Sequence, residues 1–250
     1  MADYLASKLS ESGTAFGEVK VAPDLETMAQ WLKSGEVDIY FDSPYPAMLV
    51  SEQSGAKAIL RRWKGGVGDY YSVIFALADS GFTSISDLQG HMIAFDEIQS
   101  TSGYVLPLTY LLSADLTLTA KSSPNQAIAP DEVGYIFSDD DENTLQWVIS
   151  GKVSAGAVDI GTYMEMPEET RNQMIILGET DTVARHVVMV RGSMEPEKIE
   201  QLKTILIEMD LSPEGKEVLE KFEKTTKFDD FMTPEDIAKM RQLSEQVRNR

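Results

Sequence analysis

The run Gln99-Ser100-Thr101-Ser102-Gly103-Tyr104 puts three consecutive hydroxyls between a strand pattern and a helix pattern. Hydroxyl donors at a helix start lie beside backbone N–H groups that have no intrahelical partner and carry the positive end of the helix dipole. An oxyanion held there needs no formal cation. A plain N-cap requires only one serine. Three hydroxyls followed by Gly103, which permits close backbone approach, favour a binding site over a simple cap.

Aromatic and cationic candidates stand at other strand ends. Tyr45 lies in Ser43-Pro44-Tyr45-Pro46, and Tyr70 and Tyr71 follow Gly68-Asp69. Tyrosine joins an O–H donor to a rigid apolar body, which suits a cleft that must dehydrate its ligand. Packing is the commoner use of a single tyrosine, but contact with a ligand gains weight at the carboxyl end of a strand. Arg185 is the candidate cation, followed at once by His186, although a surface ion pair is the usual fate of an arginine. His91, after Gly90, reads as a loop histidine with no role.

Residues 138–144 look like half a calcium loop and fail as one. Thr144 stands where the glycine belongs and Ser150 where the bidentate glutamate belongs. A helix start with acidic residues in its first turn explains the run, and a lesser reading has Glu142 and Asn143 reach a cleft.

Several chemistries are excluded. The chain has no G-x-x-x-x-G-K-[ST], no G-x-G-x-x-G after a strand, no H-E-x-x-H and no G-x-S-x-G. With two histidines and no cysteine, most nucleophile–base and metal constellations cannot be assembled. No catalytic residue, cofactor or metal site is expected. The formal net charge of −19 argues against a nucleic-acid partner, which calls for clustered Lys and Arg. It does not argue against a small anion, because remote carboxylates are screened beyond ~8 Å at physiological salt.

The elements that must position these residues alternate between helix and strand patterns, the mark of an α/β protein with mostly parallel sheets. Helices are predicted over 3–12, 24–33 (capped by Asp24 and ended by Gly35), 47–53, 104–113 and 142–149, with a helical turn at 85–88. Strands are predicted over 19–22, 37–41, 56–63, 70–78, 92–95, 133–137, 155–160, 174–177 and 187–191. From Glu195 onward the pattern is helical, broken near Pro213 and Pro234.

Leu32-Lys33-Ser34-Gly35-Glu36-Val37 is echoed by Val148-Ile149-Ser150-Gly151-Lys152-Val153. Such a helix–glycine–strand passage recurs in any α/β fold, and it also fits two similar lobes each presenting a loop to a shared cleft.

No apolar run approaches the ~20 residues needed to cross a bilayer. The N-terminus lacks the basic region and apolar core of a secretory signal, which leaves a cytoplasmic protein or a mature or trimmed chain.

Over residues 4–231 the sequence resembles the phosphate-, phosphite- and phosphonate-type substrate-binding proteins of ABC transporters. The likeness rests on Ser43-Pro44-Tyr45, Gly68-Asp69-Tyr70-Tyr71-Ser72, Ser100-Thr101-Ser102-Gly103, Asp141-Glu142-Asn143-Thr144, residues 153–159 and Arg185-His186-Val187-Val188, in the family's order. Ser-Thr-Ser-Gly is the most specific of these.

The resemblance implies a type II periplasmic-binding fold: α/β, with two lobes, each a mostly parallel sheet flanked by helices, and two crossing hinge strands. Lobe one would span 1–75 plus 187–250 and lobe two 76–186, with crossings near 72–78 and 187–191. It implies a binding protein, not an enzyme, that closes by hinge motion on a small oxyanion of the phosphonate, phosphate or phosphite class. Ser100, Thr101 and Ser102 would meet the ligand's oxygens, with Tyr45 and Tyr70 covering the opposite side.

The family's ligand-touching His and Asp align near Glu142 and His186. A carboxylate facing a dianion is unfavourable, so Glu142 would meet an amine or a protonated ligand, or turn away. The implied partner is a transporter permease, the implied location periplasmic or extracytoplasmic, and the implied state a monomer. Family members usually place a strand before the first helix, whereas this sequence opens in that helix, so the resemblance implies that the strand, with any signal peptide or anchor, would have been removed. Two other readings remain: the ligand-sensing module of a membrane receptor such as a histidine kinase, and an enzyme on the same fold, which would need a reactive group in the cleft.

Overall fold

A computed structural model describes residues 1–10, 15–230 and 233–248. The chain forms two compact units, 1–69 with 184–241 and 70–183 with 242–250. It passes from one to the other through two short paired strands, β3 (Asp69–Tyr70) and β10 (Val183–Ala184). The sequence reading put these crossings near 72–78 and 187–191.

The first unit begins with α1 (Ala2–Leu9) and α2 (Leu25–Ser34). The start of α2 is local chemistry: the Asp24 carboxylate accepts the Thr27 N–H at 2.7 Å. Its end is also local, because Gly35 takes the left-handed conformation at φ 79°. Next come β1 (Ile39–Asp42), α3 (Pro44–Ser54) and β2 (Lys57–Lys64). The chain returns as β11 (His186–Val190), α8 (Pro196–Glu208), α9 (Pro213–Lys221), β12 (Thr225–Asp229) and α10 (Pro234–Arg248), which belongs to this unit up to Arg241 and to the second from Gln242.

The sheet order is β1-β11-β2-β12, with antiparallel pairing throughout. β1 and β2 therefore run the same way around α3, with the returning β11 between them. Alternation along β11 sends Val188 and Val190 to a core with Leu5, Leu202, Leu206 and Phe228. Val187 and Met189 go to the other face, with Leu32, Met48 and Met240.

Two expectations fail in this unit. Residues 19–22 form no strand, and Val19 and Val21 are 77% and 87% exposed. Alternation makes a strand only where a neighbouring chain takes its N–H and C=O groups. Residues 225–229, placed in a helical stretch, are a strand instead: β12 pairs with β2 from Thr225↔Lys64 to Asp229↔Arg61. The β-branched Thr225-Thr226 pair suits an extended backbone, and the free edge of β2 supplies the partner. The predicted helix over 3–12 is seen only to Leu9, and residues 11 and 12 lie outside the described residues, as do 231, 232, 249 and 250 at the C-terminal end.

The second unit carries the mostly parallel sheet. It contains β4 (Ser72–Leu77), β5 (Met92–Phe95), α4 (Leu106–Ser113), β6 (Thr117–Ala120), β7 (Glu132–Phe137), α5 (Asp141–Ile149), β8 (Ala155–Asp159), α6 (Ile160–Glu165), α7 (Glu168–Arg171) and β9 (Met174–Glu179). The order is β6-β7-β5-β8-β4-β9. Neighbours from β6 to β8 are parallel, and β4 runs against both β8 and β9. Val73, Phe75, Ala94, Val148, Val158 and Tyr163 share one core. Parallel neighbours bring the carboxyl ends of β5, β7 and β8 to one edge, where open α/β sheets hold their loops for binding. No helix of the described residues is long and apolar enough to cross a membrane.

The internal echo is structural. Gly35 and Gly151 both adopt positive φ, and the next strands start at Ile39 and Ala155. In each copy one tryptophan carbonyl takes two N–H groups, Trp31 from Glu36 and Val37, and Trp147 from Lys152 and Val153. The repeat thus extends back to Gln30-Trp31 and Gln146-Trp147.

Candidate functional site

In the second unit, β5 leads through Asp96 into a π-helical turn, Thr101–Val105, that opens α4. The Val105 N–H bonds to the Ser100 carbonyl at 3.1 Å, five residues back. Single π turns of this kind concentrate at functional sites.

The three hydroxyls have different fates. Ser100 Oγ accepts the Gly103 N–H at 2.9 Å, while its own hydrogen bond goes to the Asp96 carboxylate. Thr101 is buried. Ser102 is half-buried: its carbonyl takes the Ser72 hydroxyl at 2.7 Å, and its own hydroxyl has no hydrogen bond among the described residues. Burial raises the pKa of Asp96; the Ser100 hydrogen bond opposes this, and Asp140 and Asp139 add to it.

The loop after β7 is tied to the same place. Ser138 Oγ donates to the Phe95 carbonyl at 2.9 Å, and the Asp139 N–H donates to the Asp96 carbonyl at 3.0 Å. Asp140 caps α5 by accepting the N–H groups of Glu142 at 2.6 Å and Asn143 at 3.1 Å. The Glu142 side chain is exposed, and Asn143 Nδ2 donates back to the Ser138 carbonyl at 3.0 Å. Helix capping therefore accounts for this acidic run. Among the described residues no group of His, Asp and Glu is placed to hold a metal.

Beside it, Asp159 at the end of β8 caps α6, accepting the Gly161 N–H at 2.9 Å and the Thr162 hydroxyl at 2.7 Å. Tyr70, on this unit's first strand, is buried with Leu106 and Val183.

In the first unit, β1 ends at Asp42 and α3 opens through Pro44 and the buried Tyr45. Asp42 accepts the Tyr40 hydroxyl and, at 2.7 Å, the Ser43 N–H. Burial nevertheless raises its pKa, and Glu223 adds to the rise. Arg185 and His186, both half-buried, lead into β11, where His186 lies opposite Arg62 on β2.

Arg62, which the sequence reading missed, is 2% exposed. Its guanidinium reaches His186 Nδ1 at 3.0 Å, Thr225 Oγ1 at 2.8 Å, and both the Phe222 carbonyl and Glu223 at 3.1 Å. The Phe222 ring lies 4.3 Å from it. Burial lowers the Arg62 pKa, and Glu223 works against that. Burial, reinforced by Arg62, Arg185 and Lys64, lowers that of His186 to about 3. His186 is therefore a neutral imidazole among cations.

Arg61 points to the opposite face. There it makes a two-pronged pair with Asp229, at 2.9 and 2.7 Å, and a further bond to Asp69. Two adjacent arginines in a strand must face opposite ways, so one at least is drawn inward. That was the signal available in the sequence.

The second unit thus brings Ser100, Thr101 and Ser102 together with Asp96, and it also carries Tyr70 and Glu142. The first unit brings Arg185 and His186 together with Arg62 and also carries Tyr45. What both arrangements offer is neutral and charged N–H and O–H donors suited to acceptor oxygens.

The profile of the family described as "ABC transporter, phosphonate, periplasmic substrate-binding protein" matches residues 1–236. Among solved structures, XAC2383 from Xanthomonas citri bound to ATP is similar, at 28% identity and a TM-score of 0.89 over 99% of this chain and 91% of that one. The same protein bound to chloride ion gives 28% identity and 0.88 over 99% and 90%. PhnD1 from Prochlorococcus marinus in complex with methylphosphonate shares the fold, with a TM-score of 0.69 at 14% identity over 99% and 92%.

Proposed function

The chain belongs to the phosphonate periplasmic substrate-binding proteins of ABC transporters, and we propose that it captures a small oxyanion of the phosphonate, phosphate or phosphite class. The family is one of binding proteins, not enzymes; its members take a small-molecule ligand, serve a transporter permease and are expected outside the cytoplasm. The observation that carries the ligand class is the half-buried Ser102 hydroxyl, which has no hydrogen bond among the described residues and stands in the π turn that opens a helix.

In this proposal the Ser102 hydroxyl, at the positive end of that helix, holds a ligand oxygen from one side. His186, Arg185 and Tyr45 supply donors from the other. The protein works as a monomer with the two units as lobes, and a ligand that touches both shifts an open–closed equilibrium toward the closed form, which the permease reads.

A second ligand reading has support of its own. XAC2383 was solved with ATP and is 28% identical over nearly the whole chain, which favours a phosphate-bearing nucleotide here too. Both readings ask the site for the same thing, donors aimed at phosphoryl oxygens.

A thermal-shift series with phosphate, phosphite, methylphosphonate, aminoethylphosphonate, sulfate and ATP separates them, since a ligand that binds only the folded state raises the melting temperature. A rise with methylphosphonate and none with ATP supports the first reading, and the reverse supports the second. The aminoethylphosphonate arm tests whether the exposed Glu142 meets an amine. No shift with any compound would sink the oxyanion proposal.

A further inference from the structure

The contact between Arg62 and His186 constrains which ligand group can sit at His186. A guanidinium has only donors, so the atom 3.0 Å from it, His186 Nδ1, must present a lone pair. The ring proton of the neutral imidazole is then on Nε2. Arg62 is not free to reverse this, because Thr225 Oγ1, the Phe222 carbonyl and Glu223 hold its other N–H groups.

The turn that delivers two of these partners is itself strained. Glu223 and Lys224 both adopt left-handed conformations, at φ 50° and 52°, without being glycine. His186 Nε2 has no hydrogen bond among the described residues.

We infer that Arg62 is a positioning residue that holds His186 as a neutral Nε2–H donor to a ligand oxygen, so that the first unit selects a deprotonated oxyanion and rejects a group that must itself donate there. The inference deepens the proposed function and rests on His186 meeting the ligand. The charged groups facing the ring belong to several elements: Arg62 and Lys64 on β2, Arg185 before β11, and Glu223 after α9. Asp42 on β1 faces Arg62. Three of the four groups that face the ring are cations, which oppose its protonation, and Glu223 alone favours it. The site thus stays a donor where an aspartate or a protonated histidine would behave differently.

The test has two arms. In the ligand-free protein, long-range nitrogen–proton NMR reads the tautomer of each of the two histidines, with His91→Gln supplying the assignment. The expected result is an Nε2–H ring at His186 that does not titrate between about pH 5 and 8, while Arg62→Met and the milder Arg62→Lys, which remove the fixed guanidinium donor, let the ring mix tautomers. A wild-type His186 that carries its proton on Nδ1, or that titrates in this range, overturns the inference without any variant having to fold.

The second arm measures methylphosphonate and ATP binding by calorimetry. His186→Gln, whose amide nitrogen reaches the Nε2 position, keeps an N–H donor and should retain affinity within about threefold, whereas His186→Asp should lose about tenfold or more. Equal binding by His186→Asp overturns the ligand contact. If the wild-type protein binds neither probe while NMR shows the Nε2–H ring, it is the proposed ligand class that fails, and His186's part in it falls with it.

Discussion

A β-carbon on Gly103 would lie 2.3 Å from the Asp96 β-carbon and 2.9 Å from Ser100 Oγ. Glycine at 103 therefore serves the fold first: it lets the aspartate that ends β5 and the serine that caps the π turn share one small space. The sequence suggested that Gly103 admits a ligand; the structure shows that it admits Asp96.

Gly103→Ala should force that turn apart. Overpacking of this kind costs about 1–3 kcal/mol. Urea unfolding should show a lower midpoint, and calorimetry with the tightest-binding member of the oxyanion series should show weakened affinity, since the donors at the helix mouth move with the turn. Unchanged stability would mean that the turn is not held as described.

Ser102 and Ser100 should separate binding from stability. Ser102→Ala is expected to weaken oxyanion binding by roughly 1.5 kcal/mol, the loss of one charge-assisted hydrogen bond, with the melting temperature unmoved. Ser100→Ala removes a cap from the Gly103 N–H and should cost about 1 kcal/mol of stability. If Ser102→Ala binds every member of the series like wild type, the helix mouth is not the site.

Asp229→Ala tests the Arg61 network. The Arg61 side chain is 5% exposed and its paired carboxylate 28%, so removing the carboxylate strands a largely buried cation. Breaking such a pair costs about 3–5 kcal/mol, and the remaining Asp69 bond puts the expected value near the lower end. A change below about 1 kcal/mol would class the pair with exposed ones.

Acid should destabilise the protein partly through His186. Its pKa falls from 6.5 to about 3 on folding. Between those values the unfolded chain holds a proton that the folded chain does not, so stability is fully present above about pH 6.5 and is lost as the pH drops toward 3. One such group contributes a slope of at most ~1.4 kcal/mol per pH unit. Asp42 and Asp96 have raised values and act in the opposite sense, so the comparison must be with a variant. His186→Gln should flatten the acid limb of a pH–stability curve, and identical slopes in the two proteins would show that His186 is charged in the fold.

Much of the architecture was readable along the chain. Asp24 and Gly35 bracket α2 because one carboxylate reaches an N–H three residues on and one glycine tolerates positive φ, and both are decided within a single turn. The Ser100 cap and the doubled Gln-Trp-x-x-Ser-Gly passage are local in the same sense. The extended state of 225–229 and the lack of a strand at 19–22 were not readable, because a strand exists only where a neighbour accepts its hydrogen bonds.

The sequence by itself determined the α/β alternation and the hydroxyl-rich helix mouth, since these follow from residue type and short spacing. Only the tertiary structure decided which of the three hydroxyls has no hydrogen bond among the described residues and what Arg62 contacts. Arg62 meets His186 across 124 positions and Thr225 across 163, and no periodicity spans such distances. Hydrogen bonds between side chains depend on ångström placement by different strands, and that placement is set by the packing of the whole sheet.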